Sequence, residues 1–191
     1  MSTGGPQALG EIFAQLPATF PVPIVIVQHM PPVFTKCFAE RLSTKSALSI
    51  YEAQTGDVLS PGSAWIAPGD FHMTLRRRGS DIELIMNQQS LENSCRPAVD
   101  VLFRSVAEVY GSRGLAVILT GMGHDGLKGC EMIRARGGRV FAQDEATSVV
   151  WGMPGAVVNA GLAENVFPLS EIALAMIVAT SLGRPMRMAS T

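Results

Sequence analysis

The sequence predicts an α/β fold: a doubly wound, mostly parallel sheet in a Rossmann-like three-layer sandwich, with a small antiparallel excursion around residues 49–86. Three observations predict it. Short β-branched runs, as at 22–27 and 115–119, alternate with segments of helical apolar spacing. Those runs are apolar at consecutive positions, as in strands covered on both faces. Hydrophobic residues make up 47% of the 191-residue chain and charged residues 16%, so one domain can bury a substantial core.

Each element follows in order. Leu9, Ile12, Phe13 and Leu16 mark one face of a helix over 5–16. The run 22–27 after Pro21 is a buried strand, Pro31-Pro32 closes the turn after it, and 34–42 returns to helical spacing. From 49 to 86 short strand-like pieces (63–66, 72–75, 82–86) are separated by Gly, Pro and Asp, the texture of antiparallel hairpins. Pro97 suits the first position of a helix to about Tyr110, with Val99, Leu102, Phe103 and Val106 on one face. Strand 115–120, helix 127–136, strand 139–142, a short helix 155–160, a strand near 163–166 and a helix 170–182 complete the domain. It is expected to span 1–183, with 184–191 a frayed tail.

A net charge of −1 gives no electrostatic case for nucleic acid, and Arg76-Arg77-Arg78 reads as a solvated strand end. Cys37, Cys95 and Cys130 are widely spaced and form no C-x-x-C, which argues against a disulfide framework or a cysteine-based zinc site. The three histidines show no H-x-x-H or H-E-x-x-H spacing, so no metal site is expected. No basic-then-apolar leader opens the chain, and the apolar stretch at 172–178 is too short to span a bilayer. The expectation is a soluble, cytoplasmic protein without direct membrane insertion.

Residues 120–129, Thr-Gly-Met-Gly-His-Asp-Gly-Leu-Lys-Gly, support two incompatible readings. Gly121, Gly123 and Gly126 spell G-x-G-x-x-G between a strand and a helix, the setting of a dinucleotide-binding loop. Asp144 or Glu145 then stands where a ribose ligand would be expected. Asp125, however, puts a carboxylate where a pyrophosphate would lie.

Elsewhere, Ser2 and Thr3 precede a helix and two glycines, so Ser2 reads either as an N-cap or as a nucleophile at a helix N-terminus. His29 follows strand 22–28, at the carboxyl edge where ligands collect in parallel sheets; its plainer reading is a structural hydrogen bonder. Asp125 follows strand 115–119 on that same edge. Ser, His and Asp thus converge in the order Ser2, His29, Asp125, and triads are recognised by geometry rather than order. His72 is expected to be structural or at the rim, and His124 exposed.

Ser2-Thr3-Gly4-Gly5, Gln28-His29-Met30 and the stretch from Thr120 to Gly126 resemble three signatures of the chemotaxis protein-glutamate methylesterases, the CheB family catalytic domain. Ile66-Ala67-Pro68-Gly69, the segment Cys95 to Phe103, and Gln143 to Ser148 leading to Gly152-Met153-Pro154 support the resemblance, which covers nearly the whole chain.

The resemblance implies a hydrolase that removes methyl groups from glutamate methyl esters on the cytoplasmic helices of methyl-accepting chemotaxis receptors. Methanol is released, family members often also deamidate receptor glutamines, and no cofactor or metal is needed. It implies Ser2 as nucleophile, His29 as general base, Asp125 orienting His29, the Met122 amide as an oxyanion donor, and Thr3 helping to hold the histidine. Asp144 and Glu145 become structural.

Two departures accompany it. The family carries a strand ending in Gly-x directly before its Ser-Thr-Gly-Gly motif, and often a receiver domain ahead of that; the expectation is a catalytic domain lacking both. That lost strand would be the central one of the sheet. The alternatives are a truncated module that binds receptors without turnover and a dinucleotide-binding domain.

Overall fold

The computed structural model describes residues 1–181; the expected domain end at 183 and the tail 184–191 lie outside the described residues. In chain order the elements are α1 (Gly5–Phe13), β1 (Ile24–Ile26), α2 (Pro32–Ser43), β2 (Ser49–Glu52), β3 (Ser63–Ile66), β4 (His72–Arg78), β5 (Asp81–Asn87), α3 (Val99–Tyr110), β6 (Leu115–Ile118), α4 (Leu127–Ala135), β7 (Arg139–Gln143), α5 (Met153–Asn159), β8 (Asn165–Phe167) and α6 (Leu169–Ser181). Strands pair in parallel as β1-β3-β2 and as β6-β7-β8.

Alternation along each strand builds two cores. Val25 of β1 and Val27 just beyond it, and Ala116 and Ile118 of β6, face one cluster with Leu102, Val106, Ile133 and Val157 of α3, α4 and α5. Ile26, Leu115 and Val117 face the other, with Leu9, Ile12 and Phe13 of α1, Leu42 of α2 and Ile172 of α6. Helices therefore cover both faces, as the consecutive apolar runs predict.

The antiparallel excursion is present as the hairpin β4-β5, paired from His72↔Asn87 to Arg78↔Asp81. It is narrower than the sequence suggests, since β2 and β3 join the parallel sheet instead. Pro97 also stands outside its helix. Ala98 is extended (φ −113°, ψ 141°) and its N–H donates to His72 Nδ1, so α3 begins at Val99.

Between β1 and β6 no strand intervenes among the described residues. The two edges face each other across an apolar cleft of about 530 Å³ lined by residues of β1, β6, α1 and α3. Met1 and Ser2 cross its carboxyl end. The Met1 nitrogen donates to Val27 O (3.2 Å), His29 N–H to Met1 O (3.0 Å), and Ser2 N–H to Thr120 O (3.2 Å). These two residues make strand-like bonds to both half-sheets at once.

Candidate active site

The carboxyl edge of the sheet places the site. Ser2 is half-buried and lies against Gly121, where a Cβ would come within 2.9 Å of Ser2 N and 3.1 Å of Ser2 Cβ; only a glycine allows that approach. Gly4 is left-handed (φ 80°) and caps α1, and an added Cβ there would meet Val149 Cγ2 at 2.6 Å. Gln28, 2% exposed, donates from Nε2 to Ser2 O at 3.1 Å. Strand end, glycine turn and buried amide together fix the backbone of Ser2.

His29 leaves the end of β1, and its Nε2 lies 2.7 Å from Asp125 Oδ2. Asp125 is 3% exposed and accepts three further N–H bonds: from Asn93 Nδ2 (2.9 Å), Val99 N (2.7 Å) and Asp100 N (3.1 Å). The last two are the first amides of α3, so Asp125 caps a helix from another part of the chain. Burial alone would raise its pKa. The bonds from His29, Val99, Asn93 and Asp100 outweigh burial and hold the carboxyl below its usual range. An ionised Asp125 accepts a hydrogen bond from His29 Nε2–H, so in that tautomer the ring's lone pair is on Nδ1.

The sequence reading overlooked four residues around this pair. Asn93, left-handed at φ 52°, donates to both Asp125 Oδ1 and Asp100 Oδ2 (2.8 Å) and ties two carboxylates together. Asp100 is 1% exposed; desolvation raises its pKa despite bonds from Gly129 N and Asn93. Cys95 Sγ lies 3.9 Å from His29 Nδ1. Burial, and then the Asp125 charge, push that thiol up, so it is not an activated nucleophile. Gln28 stands in the quoted Gln-His-Met stretch, but only its contact reveals its part. Asn-Ser before Cys-Arg-Pro was the one cue to the Asn93 turn.

Met122 is 72% exposed, and its N–H has no hydrogen-bond partner among the described residues, in the turn that carries Asp125. Thr3 is exposed; its carbonyl accepts from Thr120 Oγ1 (3.0 Å), and its side chain makes no bond to His29 among the described residues. Nor does a hydrogen bond join the Ser2 side chain to His29 there. His72 is buried and structural, bonded to Ser90 O and to Ala98 N, while His124 is exposed. Asp144 accepts from Thr147 N (3.0 Å) and shapes its own turn. The carboxylate of the G-x-G-x-x-G loop is buried against His29 and α3, so that loop is built around an anion of its own.

Fold and site define a class: a doubly wound α/β domain with a buried carboxylate–histidine pair at the carboxyl edge of its sheet. Comparison with known proteins narrows it. The CheB methylesterase family profile matches residues 1–176. A protein-glutamate methylesterase/protein-glutamine glutaminase of Trichodesmium erythraeum is 57% identical over 91% of this chain and 49% of its own length. One of Pseudomonas aeruginosa is 51% identical over 92% of this chain and 50% of its own. The crystal structure of the Thermotoga maritima CheB methylesterase catalytic domain superposes with a TM-score of 0.91 at 46% identity, covering 93% of this chain and 94% of that one. The chain belongs to the CheB methylesterase family, and it spans about half the length of the curated relatives it matches.

Proposed function

We propose that this chain is a catalytic domain that hydrolyses glutamate methyl esters on the cytoplasmic helices of chemotaxis receptors, acting in the cytoplasm. The observation that carries the reading is the 2.7 Å bond from His29 Nε2 to buried Asp125, beside the half-buried Ser2. With Nε2–H held, Nδ1 is the base. It takes the Ser2 hydroxyl proton as the oxygen attacks the ester carbonyl, and Asp125 stabilises the imidazolium that forms. The free Met122 N–H is the donor available to the oxyanion.

Collapse of the tetrahedral intermediate returns the proton to methoxide and releases methanol. Water then attacks the acyl-enzyme by the same route, which uses no metal or cofactor. An amide of glutamine follows the same path with ammonia leaving, which supports a glutaminase activity alongside.

The test is methanol release from a methylated receptor fragment. Ser2→Ala should lower turnover by roughly a million-fold and Asp125→Asn by about ten-thousand-fold. Unchanged rates in both variants would remove the assignment. The missing side-chain bond between Ser2 and His29 favours a second reading, receptor docking without turnover. Receptor binding by this chain with no methanol released would establish that one instead.

A further inference from the structure

We propose that His29 and Cys95 form a binding site for a thiolate-seeking divalent ion, zinc above all, and that an ion held there silences the esterase. The silencing rests on the function proposed above; the binding does not.

His29, Cys95 and Asp125 bring one ligand atom each within 4.8 Å of one another, although they come from three distant parts of the chain. Their roles differ. Asp125 is engaged by four N–H donors, so it is the outer carboxylate that fixes the ring, as in carboxylate–histidine–metal arrangements. That contact sends the His29 lone pair to Nδ1, which looks at Cys95 Sγ across 3.9 Å.

A tetrahedral zinc ion, with bonds of about 2.0 Å to nitrogen and about 2.3 Å to sulfur, sets those two atoms about 3.5 Å apart. A shift of a few tenths of an ångström closes the gap. Both residues line an open cavity of about 420 Å³, which leaves room for water at the remaining coordination positions. Arg96, a cation beside it, is held by Asp70 at 2.6 Å.

A nitrogen–sulfur donor pair selects zinc and its softer neighbours over magnesium or calcium. On binding, the Cys95 S–H bond breaks, its proton goes to solvent, and the thiolate and Nδ1 each donate an electron pair to the ion. The occupied lone pair is the one that would take the Ser2 proton, so the base is lost while the ion stays. The spacing rules for zinc motifs miss the pair because the two residues are 66 positions apart.

Cobalt(II) is the probe, in a Cys37→Ser background that removes the exposed thiol. The expected result is a saturable thiolate-to-cobalt charge-transfer band at one ion per chain, displaced by zinc. Affinity should fall at least ~10-fold in Cys95→Ser and in His29→Gln. In the methanol assay, zinc should inhibit, and Cys95→Ser, scored against its own metal-free rate, should need ~10-fold more zinc.

No charge-transfer band, or a band unchanged in Cys95→Ser, overturns the site. A band without inhibition overturns the silencing alone. A chain without metal-free turnover overturns the esterase reading and the silencing with it, while the cobalt band still decides the site.

Discussion

Asp125 is buried, charged and surrounded by donors, and its depressed pKa has a measurable consequence for stability. A carboxyl whose folded pKa lies below its unfolded value stabilises the fold above the unfolded pKa, near 4, and loses that contribution as pH falls through the folded pKa. Asp100, raised by burial, acts with the opposite sign. Urea melts of the parent chain and Asp125→Asn should therefore differ most above about pH 5 and converge below about pH 4. A gap independent of pH would show that Asp125 is not ionised in the fold. His29 and Asp125 were legible in the sequence because each follows a strand, and strand ends share an edge. Cys95 and Asn93 were not, since neither lies at a strand end and both reach the site through a loop whose path no periodicity encodes. The distinction between Nδ1 and Nε2 was likewise hidden, because it depends on which nitrogen faces the carboxylate.

Helix α3 shows how an element can be right in existence and wrong in its start. Its apolar face, Val99, Leu102 and Val106, was legible at helical spacing and is buried. Its first turn was not. The cap comes from Asp125, 26 residues away from Val99, and Ala98 supplies no side-chain cap. Strands β2 and β3 failed differently. Short pieces between turns read as hairpins, yet β3 pairs in parallel with both β2 and β1, the latter lying on the far side of α2 in the chain. Where α3 and α4 meet, Gly129 permits the approach; a Cβ there would lie 2.5 Å from Phe103 Cβ. Gly129→Val should destabilise the domain by about 1–3 kcal/mol through overpacking, read as a lower denaturation midpoint with unchanged slope. A midpoint equal to that of the parent would show that the two helices separate freely.

At the scale of the molecule, two three-stranded half-sheets share helices on both faces but not a ladder. Fold class and helix order were readable from alternating runs. An apolar cleft separates β1 from β6. Helix packing keeps the halves together across buried apolar surface.

The backbone of Met1 and Ser2 bonds to β1 on one side and to the end of β6 on the other. A serine in that position is aligned by both halves at once, so a shear between them would misalign it before either ladder broke. Methanol release should then vanish at lower urea than the far-ultraviolet circular dichroism does. Coincident loss of the two signals would mean that the halves move as one body.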